Sequence, residues 1–168
     1  DGNKENLKFV LEVAKILKLK KNYLLKTLEK FKGLKYRQEI IFKSKYLTII
    51  NDSKSTSFSS SMSLLKTLKN VYWIIGGQAK KGDSLLLSKK NCKNFRAYIF
   101  GSDKIFFSKK LKRLMKYKSF KDLESLIKKM FLDIKFDKKL YHKTILFSPS
   151  AASFDNFKNF EESGKYFN

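Results

Sequence analysis

The stretch Tyr46-Leu-Thr-Ile-Ile-Asn-Asp-Ser-Lys-Ser-Thr-Ser-Phe58 decides the fold. Its first half is apolar and β-branched, the composition of a buried strand. Its second half, Asn51 to Thr56, is a dense polar cluster, and a helical pattern follows from Ser57 to about Leu68. Polar residues in the turn between the C-terminal end of a strand and the next helix are how α/β folds build binding sites. The N-terminus of that helix is expected to offer unpaired N–H groups and a positive dipole end, which attract carboxylates and phosphates. An ordinary strand–turn–helix with Ser and Thr capping would use the same residues.

Working outward, Glu39 to Phe42 reads as a strand joined to this one by the polar turn Lys43 to Lys45. Downstream, Val71 to Ile75 is an apolar strand ending at Gly76-Gly77, Phe95 to Phe100 is another closed by Gly101, and Thr144 to Phe147 is the last. Amphipathic helices are expected over Asp103 to Met115 and Phe120 to Phe131, with a short strand between them, and from about Phe154 to Tyr166. Upstream, Leu7, Val10, Leu11, Ala14 and Leu17 lie at helical spacing within Asn3 to Leu19, with Asn3 or Asn6 as its cap. A second helix spans Tyr23 to Phe31, and Gly33 breaks the pattern. Alternating strands and helices predict an α/β, Rossmann-like domain: a mainly parallel sheet with helices on both faces. Ligands of such sheets gather outside the carboxyl ends of the strands. Three polar turns fit that position: Asn51–Thr56, Gly76–Lys81 and Ser148–Ser153.

Hydrophobic content of 42% and sixteen Phe in 168 residues mark a folded chain long enough to bury a core. A single Cys92 excludes an internal disulfide. There is no secretory h-region and no apolar run of bilayer-spanning length, so a cytoplasmic protein without membrane insertion is expected. The net charge of +23 points toward nucleic acid at face value. Yet only Arg37, Arg96 and Arg113 among the 38 basic residues are arginines, the residue that reads phosphates and bases with a bidentate fork. The lysines run from end to end, and Lys, Asn, Ile, Phe and Tyr share AT-rich codons. A basic nucleic-acid-binding module is the rival reading, and no specific nucleic-acid partner is expected.

Four segments, in order, are similar to motifs of the Mur ligase family, and within it to the members that add D-glutamate. They are Phe31-Lys-Gly-Leu-Lys-Tyr-Arg37, Asn51-Asp-Ser-Lys-Ser-Thr56, Ile75-Gly-Gly-Gln-Ala-Lys80 and Ser148-Pro-Ser-Ala-Ala-Ser-Phe-Asp-Asn-Phe-Lys-Asn-Phe-Glu161. The second and fourth together are highly specific. The resemblance implies that residues 1–32 are the end of a central ATP-binding domain and 33–168 an amino-acid-binding C-terminal domain. No Gly-x-x-Gly-Lys-Thr/Ser phosphate loop is present, so the chain resembles part of an enzyme and is not expected to turn over alone. Complete, it is expected to be a monomer.

The implied reaction activates the carboxylate of UDP-N-acetylmuramoyl-L-alanine with ATP to an acyl phosphate, which the amine of D-glutamate attacks. Neutralising phosphate charge calls for Lys and Arg. By resemblance, Lys54 and Arg37 approach the phosphates, Asp52 accepts the ribose hydroxyls, and Asn3 and Asn6 touch adenine. Thr56 and Lys80 hold one carboxylate of D-glutamate. Ser153, with N–H groups near Phe154 and Phe160 at the start of the last helix, holds the other, and Asn159 braces that turn. Mg2+ is implied, with its ligands expected outside this chain, and no metal site is assigned here. His142 and Cys92 match nothing catalytic. The sequence departs from the family pattern at Gly2, Tyr36 and Ser163, where the family carries His, His and a basic residue. Tyr36 retains a hydrogen-bond donor, whereas Ser163 removes a charge near the last helix. A degenerate, non-catalytic relative would show the same departures.

Overall fold

The computed structural model describes residues 2–31, 33–152 and 157–168, with side chains from residue 5 onward. The chain forms two compact units, Asp1–Gly33 and Leu34–Asn168. The first holds helices α1 (Gly2–Ile16) and α2 (Lys21–Lys30). Asn6 lies inside α1 rather than at its cap, because the helix already runs from Gly2. Lys18, at φ 53, takes the left-handed conformation that ends α1, and Leu19 N–H donates to Ala14 O at 2.9 Å.

The second unit is built on six strands: β1 (Glu39–Lys43), β2 (Leu47–Asn51), β3 (Val71–Gly76), β4 (Arg96–Phe100), β5 (Lys116–Ser119) and β6 (Lys143–Phe147). They lie in the order β1-β2-β6-β3-β4-β5, with β1 antiparallel to β2 and every other pair parallel. The α/β, mainly parallel expectation holds. The short strand expected between two helices is β5. Four helices cover the sheet: α3 (Phe58–Leu65), α4 (Lys104–Leu111), α5 (Leu123–Lys135) and α6 (Phe160–Phe167).

Period-two alternation sends successive strand residues to opposite faces. Trp73, Ile75 and Ile99 pack against Phe58, Met62, Leu65, Phe107 and Leu111 of α3 and α4. Tyr72, Ile74, Tyr98 and Phe147 face the other way, onto Leu123, Leu126 and Met130 of α5 and Phe167 of α6. Both faces are therefore buried, and β3 reads as an unbroken apolar run because neither face meets water.

The last helix, expected from about Phe154, is α6 from Phe160, and Phe154 itself lies outside the described residues. Asn159 caps it by accepting Glu162 N–H at 2.8 Å, while the Glu162 carboxylate accepts Lys158 N–H at 2.6 Å. The Phe157–Phe160 spacing imitates a helical period, but this reciprocal cap fixes the start three residues later. Similarly, α5 begins after the Asp122 cap, which accepts Ser125 N–H at 2.8 Å, rather than at Phe120.

Candidate functional site

Because β6 inserts between β2 and β3, the three polar turns leave three adjacent parallel strands at the same edge of the sheet. This is where doubly wound folds place their ligands.

The turn after β2 is tied down from within. Asn51, fully buried, accepts Ser53 N–H at 3.1 Å and donates to Gly164 O at 2.9 Å and Asn168 Oδ1 at 2.6 Å, which docks α6 onto the turn. Asp52 is 2% exposed. Its carboxylate accepts Gln38 N–H at 3.0 Å, Ser55 Oγ–H at 2.6 Å and Ser148 Oγ–H at 2.9 Å. Burial pushes its pKa up, against the opposing pull of the two serines, Gln38 and the Arg37 charge. The carboxylate that the resemblance assigns to ribose hydroxyls accepts three donors of its own chain in this structure. Asp52 thus links three segments, and Arg37, exposed, directly precedes Gln38, which is anchored to it. Lys54 N–H donates to Tyr36 O at 3.0 Å, completing the tie between the 36–38 segment and the turn.

The N-terminus of α3 is not open to an outside anion. Ser57 and Ser60 form a reciprocal capping box, and Phe58 N–H donates to the Asp83 carboxylate. The anion that the helix end attracts is supplied by the chain itself.

Gly76, at φ 143, leaves β3 in a conformation reserved for glycine, and a Cβ there would lie 2.0 Å from Phe100 O. The turn that follows is joined to the turn after β6 by an antiparallel bridge: Gln78 N–H to Ala152 O at 2.9 Å and Ala152 N–H to Gln78 O at 3.0 Å. Asp103 accepts Ala79 N–H at 2.7 Å and steadies the same segment. Thr56, Gln78, Ala79, Lys80 and Ala152 then line a groove of about 280 Å3. Thr56 and Lys80, 24 positions apart in sequence, meet in it, both exposed.

Lys54 Nζ lies 5.1 Å from the centre of the Phe160 ring, so a cation from the β2 turn meets the opening of α6. Ser153 and Phe154, and the side chain of Asn3, lie outside the described residues. Asn6 is exposed on α1 in the other unit. Tyr36, at φ 63, donates its N–H to Glu39 Oε2 at 2.8 Å, and its ring packs where a Gly164 Cβ would lie, 2.5 Å away. Ser163 is buried and donates to Phe160 O at 2.9 Å, a place with no room for a long charged side chain.

Sequence reasoning missed the serine chain beneath the turns. Ser148 Oγ contacts Ser61 Oγ at 2.7 Å, and Ser61 Oγ contacts Ser150 Oγ at 2.7 Å. Trp73 Nε1 donates to Ser148 O at 2.8 Å. The signal was present: Ser61 lies among the apolar helix positions Phe58, Met62 and Leu65, where a polar residue needs partners.

His142 is structural, its Nδ1–H donating to Lys45 O at 3.0 Å and its Nε2 receiving Thr48 Oγ–H at 2.9 Å, the tautomer a carbonyl partner requires. Burial pushes the Cys92 thiol up to about 11, which keeps it unreactive. Among the described residues, no group of three or more His, Cys, Asp or Glu side chains is placed to hold a metal ion, and no helix is long and apolar enough to cross a membrane.

No protein-family model matches the chain. Curated relatives do. The chain is 35% identical over 167 residues to the UDP-N-acetylmuramoylalanine–D-glutamate ligase of Wolbachia sp. subsp. Brugia malayi, covering 99% of this chain and 33% of that protein. It is 33% identical over 165 residues to the ligase of the same name from Rickettsia felis (98% and 36%), and 32% over 171 residues to that of Francisella tularensis (99% and 40%). The chain spans about a third of the length of these relatives, and within that third the kinship read from the four motifs holds from end to end.

Proposed function

We propose that this chain, kin to the Mur ligases, is the C-terminal part of an ATP-dependent ligase that joins D-glutamate to UDP-N-acetylmuramoyl-L-alanine in peptidoglycan synthesis. Its residues 1–32 then belong to the end of the central ATP-binding domain and 33–168 to the amino-acid-binding domain. The observation that carries this reading is the groove in which Thr56 and Lys80 converge, bordered by Ala152 just before Ser153. A threonine and a lysine lining one small groove suit a carboxylate, and Ser153, next in sequence to Ala152, is assigned by resemblance to the other carboxylate.

In this reading D-glutamate is held with its amine free to attack. The C–O bond from the acyl carbon to phosphate breaks as the amide C–N bond forms, and inorganic phosphate leaves. Lys54 and Arg37 offset the negative charge on the transferring phosphoryl group. Asp52 is assigned by resemblance to the ribose hydroxyls, and its bonds to Gln38 and Ser55 also tie the 36–38 segment to the β2 turn, which carry Arg37 and Lys54. Asn3 and Asn6 are assigned to adenine. ATP also needs a phosphate-binding loop; none is present in this sequence, and the resemblance implies one in another domain of the ligase. The described residues do not fit Mg2+: Asp52 and Asp103 are each engaged by the chain's own donors, so a bound Mg2+ would draw its ligands from elsewhere.

The test is kinetic. In a ligase chain completed with the remaining two-thirds found in the relatives, phosphate release must depend on ATP, UDP-N-acetylmuramoyl-L-alanine and D-glutamate together. Release that ignores D-glutamate, or accepts L-amino acids equally, overturns the proposal.

A further inference from the structure

Two of the chain's three arginines, Arg96 and Arg113, lie away from the proposed ligase site, and both line one groove. It measures about 1150 Å3 and wraps around the N-terminal ends of β4 and β5, the sheet edge opposite the polar turns. Eight of its eighteen lining residues are Lys or Arg, against 38 of 168 in the whole chain, so the groove gathers charge beyond what composition supplies.

Two of the eight are held by carboxylates. Arg96 pairs with Asp137 at 3.3 Å, and Lys118 with Asp133 at 2.6 Å. Asp133, the single acidic residue of the lining, is also taken by Lys129 at 3.0 Å. The other six, Lys89, Lys93, Lys112, Arg113, Lys116 and Lys139, are exposed and come from four separate segments. Like charges converging on one concavity repel, and they raise the local concentration of any anion that relieves them.

We propose that this groove binds a linear chain of phosphates, as found in the backbone of a single-stranded nucleic acid or in free polyphosphate. Cations spread over four segments match charge spaced along a chain better than one compact anion. Five of the six exposed cations are lysines, which meet phosphates as point charges and do not read base edges. Of the four aromatic residues in the lining, Phe95 and Tyr98 are buried, so Tyr117 is the one exposed ring at the groove, too little for a run of stacked bases. Tyr98 is buried with its hydroxyl on Asp133 at 2.8 Å, and the Tyr141 ring is faced by the ammonium groups of Lys139 and Lys143 at 5.8 and 5.3 Å. Binding through the backbone alone carries no sequence preference. This inference stands apart from the ligase reading.

The experiment measures anisotropy of a labelled oligothymidylate on the full chain across a range of salt, with unlabelled polyphosphate as competitor. The groove set Lys93→Gln, Arg113→Gln and Lys116→Gln is compared with the control set Lys8→Gln, Lys26→Gln and Lys43→Gln; all six side chains are exposed, and circular dichroism checks each fold. The groove set should weaken binding by at least about 10-fold and flatten the log–log salt slope by about 2, at roughly 0.7 per lost contact, while the control set changes little. A single reversal, Lys93→Glu, should act in the same direction. Equal losses in both sets, or no binding by either ligand, overturn the proposal. Competition by polyphosphate identifies the phosphate chain itself as the ligand; groove-dependent binding that polyphosphate cannot displace identifies the nucleic-acid backbone.

Discussion

The Asp52 carboxylate receives the Ser148 hydroxyl at 2.9 Å across 96 positions of sequence, joining the turn after β2 to the turn after β6. Ser55 and Gln38 complete its shell. Removing the carboxylate takes the acceptor from three donors at once, two of them on buried serines. Asp52→Ala should therefore cost about 2–4 kcal/mol, and Asp52→Asn, which keeps one acceptor oxygen, clearly less. Denaturant unfolding of the three proteins decides it; equal stabilities would mean that the shell is not formed.

The same carboxylate has a pH signature. Its folded pKa is raised by burial above the ordinary 3.8, so the folded state binds the proton more tightly than the unfolded one. Its contribution to stability falls as pH rises from about 4 through the raised value, then levels off. Asp133 works in the opposite sense. Burial would raise it, but hydrogen bonds from Lys118, Lys129 and Tyr98 prevail and hold it at about 2. Its stabilisation is present above 3.8 and disappears as pH falls toward 2. Melting curves of the parent and Asp133→Asn should separate near neutrality and converge in acid.

Gly164 in α6 has no room for a side chain. A methyl there would come 2.4 Å from Ser53 Oγ and 2.5 Å from the Tyr36 ring. Gly164→Ala should undock α6 and move Phe160 away from Lys54, costing about 1–3 kcal/mol. Ser53 Oγ, by contrast, is buried with no hydrogen-bond partner among the described residues. Ser53→Ala should be neutral or stabilising by up to about 1 kcal/mol, measured in the same unfolding assay.

If Lys80 holds a carboxylate of the amino-acid substrate, its loss removes a charged hydrogen bond of about 1.5–3 kcal/mol. In the completed ligase, Lys80→Ala should raise the D-glutamate KM by about 10- to 150-fold, with the KM for ATP little changed. An unchanged D-glutamate KM would remove Lys80 from the site.

Much of this was legible in the chain. Val71–Ile75 and Thr144–Phe147 read as strands because both faces of a covered parallel sheet demand apolar residues. The Gly76-Gly77 break was equally plain, since its backbone geometry admits little else. What escaped were features defined by distant partners. Asp52 reads as a surface turn residue until Gln38 and Ser148 are brought to it. The end of α3 reads as vacant until Asp83, 25 positions on, fills it. The basic groove exists only once β4 and β5 lie side by side, which no local pattern announces.

The paired hydrogen bonds between Gln78 and Ala152 bear on how tightly a small ligand can bind. They order both walls of the Thr56–Lys80 groove when the chain folds, before any ligand arrives. A ligand entering there forfeits little backbone entropy on binding, so more of each hydrogen bond it makes is expressed as affinity.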